Sequence, residues 1–155
     1  MTKAIIYTRP DGGVSVLHPA PRARREGETE DGFAARIAAG CVPGGATDVR
    51  IVDAAAIPVD RTFRNAWRVN GSGVYCEMVA AKGIARDMLR AERVERFKTI
   101  DGQWMRAMGR GDTAAASAIE AKRETLRNWP ADPRIEACGA PDELKAVIAQ
   151  IKDGG

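Results

Sequence analysis

A chain of 155 residues that is 45% hydrophobic and 29% charged has the size and composition of one soluble domain, or of a small domain with an extension. No apolar run approaches the roughly 20 residues that span a bilayer, so we expect no contact with a membrane. Aromatic residues make up only 5% of the chain, which predicts a thin core of aliphatic side chains that another subunit could complete.

The cysteines and the N-terminus indicate a cellular compartment. Cys41, Cys76 and Cys138 are odd in number and widely spaced, which gives neither a disulfide framework nor a metal-binding spacing. A strand-like run follows Met1 almost at once, without the pattern of a signal peptide. We therefore expect a reduced, cytoplasmic protein.

The N-terminal part predicts a small α+β unit over residues 1–56. Two β-forming runs flank a turn at Asp11–Gly13, and a helix begins at Thr29 or Glu30 and ends at Gly40. A later alternation of polar and apolar residues predicts a half-buried strand. The order is ββαβ, which buries too little surface to be stable alone. The predicted strands are Lys3–Thr8, Val14–His18 and Asp48–Asp53.

Residues 57–73 are interpreted as a joint that contains a short helix at 61–68 and a loop at 70–73. Helical spacing would place Phe63 and Trp67 on one face. It would place Arg61, Arg64 and Arg68 on another face, where they form the cationic patch least neutralised by nearby acids.

An antiparallel helical hairpin is predicted between about Val74 and Trp129. Its turn lies at Gly109–Asp112, because Gly109 and Gly111 tolerate the left-handed conformation and Asp112 can cap the next helix. The second helix runs from Thr113 to about Asn128 and is stopped by Pro130. The first helix carries an apolar stripe made of Ile84, Met88, Ala91, Val94, Phe97, Ile100, Trp104 and Met108.

A short final helix begins at Pro141, with acidic residues in its first turn. Residues 74–152 are thus predicted to form the helical hairpin and this final helix, joined by an irregular link at 131–135. The fold class is α+β: a small N-terminal antiparallel sheet followed by the hairpin and the final helix. The stripe on the long helix exceeds what one short helix can cover. We therefore expect a homo-oligomer formed through residues 84–108.

No reactive constellation is visible in the sequence. His18 is the single histidine and lies beside Pro19, without a neighbouring nucleophile motif. The glycine pairs match neither a phosphate loop nor a dinucleotide fingerprint. The carboxylates of the hairpin alternate with cations, which is typical of solvated ion pairs. We expect no enzymatic activity, no cofactor and no metal.

A partner-binding surface is the remaining candidate site. Arginine and aromatic residues are enriched in protein interfaces, and the same residue types can bind nucleic acid. The helix cations alternate with acids, and Trp104 and Trp129 lie on apolar faces, so nucleic acid is the less favoured partner. The candidate partner-binding residues are Arg61, Phe63, Arg64, Trp67, Arg68, Trp104 and Met108.

Several stretches together carry a family resemblance. They are Ala4–Val16, Arg50–Asp53, Asp60–Trp67, Asp101, Trp104–Ala107, Gly111–Asp112, Lys122–Arg127 and Pro141–Ala146. In these stretches the chain resembles small proteins encoded among the tail genes of tailed bacteriophages and prophages, a group described as tail or tail-fibre assembly chaperone-like. Members often end in a Trp-Pro pair, whereas this chain continues with Val147–Ala149.

The resemblance implies a non-enzymatic phage protein that binds tail or tail-fibre components, as an assembly chaperone or as a minor structural protein of the tail. Its location would be the cytoplasm of the bacterial host or the virion. An alternative is a phage protein that binds nucleic acid or a host defence protein through the arginines at 61, 64 and 68.

Overall fold

The computed structural model describes residues 1–71 and 73–154, and the chain forms two compact units, Met1–Glu77 and Met78–Gly155. Ser72 of the predicted loop and Gly155 lie outside the described residues. A small antiparallel sheet precedes a set of helices, so the predicted α+β class is confirmed. Residues 57–73, predicted as a separate joint, fall within the first unit.

The first unit contains the predicted ββαβ order. Strands β1 (Lys3–Thr8) and β2 (Val14–Leu17) form a hairpin, helix α1 spans Glu30–Cys41, and β3 spans Thr47–Asp53. The sheet order is β2-β1-β3, and both pairings are antiparallel. Asp11 accepts from the amide of Gly13 at 2.9 Å, which closes the hairpin turn.

Strand β3 lies at the edge of this sheet and is mostly exposed. The prediction of a half-buried strand is therefore wrong, since residues 47–51 all face solvent. Its register with β1 shifts between the pairs of Ile6 and Thr8, and Asp48 adopts a positive φ of 50° there. This is a β-bulge with its extra residue in β3, and bulges bend the strand that carries them.

A second hairpin replaces the predicted short helix. Residues 64–66 form one 3-10 turn, and β4 (Trp67–Asn70) then pairs antiparallel with β5 (Gly73–Cys76). The helix predicted at 61–68 and the start of the long helix near Val74 are both wrong. Alternation explains the outcome: Trp67 and Val69 lie opposite Cys76 and Val74, so the hairpin presents one continuous apolar face.

That apolar face forms the main core of the first unit. Ile6, Val14 and Trp67 are almost fully buried in one cluster, against the partly buried Val69 and Val74. On β1, Ile5 points to the other side of the sheet. Helix α1 lies along β1 and β3 and buries Phe33 and Ala34. The sheet therefore has the β4-β5 hairpin on one face and α1 on the other.

The entry into α1 is fixed by a cap and an ion pair. The hydroxyl of Thr29 accepts from the amide of Gly32 at 3.1 Å, as expected of an N-cap. Glu28 accepts two hydrogen bonds from the guanidinium of Arg36, both at 2.8 Å, and one from the amide of Arg25. These donors, Arg36 first, lower the pKa of Glu28 from 4.5 to about 2.

Helices joined by short turns make up the described part of the second unit. It contains α2 (Met78–Gly109), α3 (Thr113–Asn128), the short α4 (Pro133–Ala137) and α5 (Pro141–Asp153). The predicted hairpin, its turn and the final helix are confirmed, whereas the link around residues 131–135 forms α4 instead of an irregular loop. Gly111 has a φ of 68° in the turn, and Asp112 caps α3 through the amide of Ala115.

The core of the second unit is formed where three helices meet. Helix α2 packs against α3 and α5, and the buried positions on α2 differ from the predicted stripe. The stripe residues Val94 and Met108 are exposed, whereas Ala85, Leu89 and Ala107 are buried, each one position away from a stripe residue. The buried residues are Ala81, Ala85, Leu89, Ala107, Ala116, Leu126, Trp129, Pro130, Ile135, Cys138, Leu144, Ile148 and Ile151.

We predict that Ile6→Ala lowers the free energy of unfolding of the first unit by about 2–5 kcal/mol, because it opens a cavity between the two sheets. Val59→Ala is the control, since Val59 is 97% exposed, and should change it by less than about 0.5 kcal/mol. Urea unfolding followed by circular dichroism measures both. Equal effects of the two variants would contradict the assigned core.

We predict that acid weakens the first unit through Glu28. Because its pKa is lowered on folding, the charged carboxylate stabilises the native state above pH 4.5, and this contribution is lost as the pH falls towards about 2. Glu28→Gln should therefore be less stable than the natural chain at neutral pH and equally stable at the acid end. Urea titrations across this range would refute the prediction if the difference stayed constant.

Candidate protein-interaction surfaces of the helical hairpin

Two of the residues predicted to bind a partner are core residues. The side chains of Phe63 and Trp67 are buried, and Trp67 contacts the apolar cluster between the sheets. An aromatic side chain in this position is removed from water by its own unit, so it is unavailable to a partner. The interpretation of this pair as a docking surface is corrected accordingly.

The predicted arginines do not form one helical face, because the segment that carries them is a turn followed by a strand. Arg61 and Arg64 are exposed. Arg68 is half-buried, and its guanidinium donates to the carbonyl of Trp67 at 2.8 Å and to that of Asn65 at 3.4 Å. Arg68 therefore supports the local backbone, and two arginines remain on the surface.

Trp104 lies half-buried between the two long helices under an arginine that the sequence analysis did not identify. The guanidinium of Arg123 is 5.2 Å from the centre of the Trp104 ring, within the range of a cation–π contact. Its Nε lies 3.0 Å from Oδ1 of Asp101, and its Nη1 lies 2.6 Å from Glu120. The sequence did contain a signal for this contact, because the predicted turn at Gly109–Asp112 brings the helices that carry Trp104 and Arg123 side by side.

The outward side of α2 is apolar in its distal half. Val94, Met105 and Met108 are 52%, 68% and 51% exposed. Exposed side chains of this size are ordinary when single, but these three recur on one side of the same helix. Met108, one of the predicted binding residues, is exposed on this side. Met105 was not identified, because the predicted stripe ran through Trp104.

A groove runs along the opposite side of the hairpin, between α2 and α3. It has a volume of about 390 Å³. Ile100 and the buried Leu126 supply its apolar floor. Its remaining lining residues are Glu95, Arg96, Thr99, Gln103 and Lys122. We call this feature the α2–α3 groove.

Helix α5 ends where the α2–α3 groove begins. Near the end of α5, the ammonium of Lys152 lies 3.7 Å from a carboxylate oxygen of Glu92. At the same level the guanidinium of Arg96 lies 4.8 Å from the centre of the Trp129 ring. Helix α5 thus covers α2 up to about this level, and the α2–α3 groove lies beyond it.

Other groups that could carry chemistry are dispersed. His18 lines a shallow cavity of about 220 Å³ with Ile57 and Arg61. Cys41 is exposed, whereas Cys138 is buried and its thiol lies 3.2 Å from the carbonyl of Arg134. Within residues 1–71 and 73–154, no three His, Cys, Asp or Glu residues cluster as metal ligands. In the same ranges, no helix combines the length and the apolar character needed to cross a membrane.

Comparison with known proteins adds no relative: no protein-family model, no curated protein and no solved structure matches this chain.

We predict that Arg123→Ala destabilises the distal end of the hairpin by about 1 kcal/mol, because it removes the contact with Trp104 and the ion pair with Asp101. Arg123→Lys keeps the charge but not the planar group, so it should restore only part of the loss. Amide hydrogen exchange of residues in α3 measures the local stability. Full restoration by lysine would assign the effect to charge alone.

Proposed function

We propose that this chain is a non-enzymatic protein that binds a component of a bacteriophage tail or tail fibre, either as an assembly chaperone or as a minor part of the tail. The resemblance of its turn and helix patterns to tail-assembly proteins supports the biological setting. The α2–α3 groove is the observation that carries the binding role. The expected location is the bacterial host cytoplasm or the virion.

The groove favours a helical occupant. Two antiparallel helices leave a cleft that a third helix can fill by packing its side chains between theirs. Helix α5 packs against α2 and ends near Lys152, next to this cleft. The groove continues beside α2 from Glu95 to Gln103, which is about 12 Å of helix at 1.5 Å per residue. A partner helix of two to three turns would therefore complete a three-helix bundle at this end.

The lining of the groove defines the chemistry of that helix. Ile100 and Leu126 require an apolar stripe at a spacing of three and four residues. Lys122 is exposed at the rim, where an acidic residue beside the stripe would face it. The partner is thus an amphipathic helical segment of a tail or tail-fibre protein, with an acidic side chain next to its apolar face.

A second candidate function uses the exposed pair Arg61 and Arg64, which a phosphate backbone or an acidic host protein could contact. Arg68 is engaged with its own backbone, so this patch carries two available cations where three were predicted. Salt-sensitive binding of nucleic acid that is lost in Arg61→Ala/Arg64→Ala would support this candidate.

We predict that Gln103→Arg blocks the partner, because a larger charged side chain would enter the groove from its exposed rim. Ser117→Arg is a matched control, since Ser117 is exposed on α3 and does not line the groove. The tagged full chain is isolated from phage-producing cells, and the co-purified proteins are identified by mass spectrometry. Gln103→Arg should reduce recovery of a tail or tail-fibre protein by about tenfold or more, and Ser117→Arg should not.

Three results would count against the proposal. Recovery of no tail component by the natural chain would remove its biological setting. Equal recovery by Gln103→Arg and Ser117→Arg would place the contact outside the groove. Recovery of nucleic acid or of a host defence protein in place of a tail protein would favour the arginine-based candidate.

A further inference from the structure

The distal half of α2 carries a second helical pattern besides the one that faces its own unit. Six residues from Ala91 to Met108 are separated alternately by three and by four positions, and they lie on one side of the helix. This alternation of three and four is the heptad spacing by which two helices meet along a straight line. We call these residues the outer seam: Ala91, Val94, Lys98, Asp101, Met105 and Met108.

The outer seam faces away from the packing within the second unit. The residues that α2 buries there, such as Leu89 and Ala107, lie elsewhere around the helix, and Val94, Met105 and Met108 are at least half exposed. Gln103 of the α2–α3 groove lies about half a turn away from the middle of the seam. An occupant of the outer seam would therefore leave the groove around Ile100 and Gln103 open, and Glu95 would lie beside both surfaces.

The two charged residues in the middle of the seam identify the occupant. A polar residue inside an otherwise apolar seam disfavours any partner that leaves it unpaired, and so fixes orientation and register. Lys98 and Asp101 have opposite charges and adjacent places in the seam. A second copy of the same helix, running antiparallel, can place Lys98 of each copy against Asp101 of the other.

In one antiparallel register, every residue of the outer seam faces a chemically compatible residue of the second copy. With Lys98 opposite Asp101 of the second copy, Val94 lies opposite Met105 and Ala91 lies opposite Met108. Each contact occurs twice, as two-fold symmetry requires. A shift by one heptad places Lys98 against Val94 or Met108 and leaves both charges against apolar groups. A parallel pair would oppose Lys98 to Lys98 and Asp101 to Asp101.

The residues that flank the seam fit the same register. Phe97 and Trp104 each precede a seam residue by one position, so in an antiparallel pair the Phe97 of one copy adjoins the Trp104 of the other. On the opposite flank, Glu95 meets Gly102, which leaves room for close approach. Aromatic pairs add to the apolar contact, and Phe97 and Trp104 are only partly buried in a single chain.

The ion pairs already present are compatible with this arrangement. Arg123 lies against Oδ1 of Asp101, and the Asp101 side chain is still about half exposed, so it can also accept from Lys98 of a second copy. The ammonium of Lys98 lies 2.7 Å from Glu95 in an exposed pair, which a small rotation of the long side chain can exchange. We propose that two copies of this chain form an antiparallel dimer through the outer seam of α2, with Lys98 of each copy paired to Asp101 of the other.

Charge exchange tests the central pair. Lys98→Asp and Asp101→Lys should each raise the dimer Kd by about tenfold or more, because either change makes both central contacts repulsive. An equal mixture of the two variants should associate as the natural chain does, since each Lys–Asp contact is restored between unlike copies. Sedimentation equilibrium of the full chain measures the association, and circular dichroism verifies that the variants fold.

Val94→Glu tests the apolar layers and should likewise abolish the dimer. Val59→Glu is the matched control, because Val59 is exposed and lies in the first unit. A natural chain that sediments as a monomer at the highest concentration reached would overturn the proposal. So would a dimer that Val94→Glu leaves intact.

Disulfide formation tests the orientation. In a chain with Cys41→Ser, which removes the exposed natural thiol, a mixture of Val94→Cys and Met105→Cys should cross-link on mild oxidation, and neither variant should cross-link alone. Cross-linking of Val94→Cys with itself would show a parallel pair and overturn the register. Because the groove variant Gln103→Arg does not touch the seam, loss of tail binding and loss of the dimer are separate results.

Discussion

The organisation of the second unit follows from the unequal lengths of its helices. Helix α2 has 32 residues, whereas α3 has 16 and α5 has 13. A helix of about 48 Å cannot be covered along its length by two such neighbours. Its distal half therefore has one packed side, against α3, and two sides that meet water. The α2–α3 groove and the outer seam are those two sides.

A helix with so much exposed surface needs stabilisation of its own. Three ion pairs between successive turns of α2 join Asp87 to Arg90, Glu92 to Arg96 and Glu95 to Lys98. Each is worth only a few tenths of a kcal/mol, but they act where tertiary contacts are few. Arg123, stacked over Trp104, connects this part of α2 to α3. The distal hairpin is thus held mainly by polar contacts around a narrow line of small and apolar side chains.

Local signals in the sequence were sufficient for much of the fold. The Asp11–Gly13 turn, the Thr29 cap and the turn at Gly109–Asp112 depend on backbone chemistry within a few residues, and the structure has them where they were predicted. The β4-β5 hairpin was missed because Phe63 and Trp67 satisfy a helical spacing as well as an extended one. The extended conformation is stabilised by packing against Ile6 and Val14, which are distant in sequence. The candidate surfaces were only partly predictable for a related reason: α2 carries two apolar patterns, and only tertiary contacts show which of them is buried.

The bulge at Asp48 limits the addition of strands from other molecules to the edge of the first unit's sheet. Strand β3 has an unpaired outer edge, and Val49 and Ile51 on it are partly exposed, a combination that invites strand addition and fibrillar stacking. The positive φ of Asp48 bends that edge beside its apolar residues, and the charges of Asp48 and Arg50 interrupt the apolar run. An incoming strand would lose its ladder of hydrogen bonds at this point. The unusual conformation of Asp48 thus makes the β3 edge a poor template for strand addition.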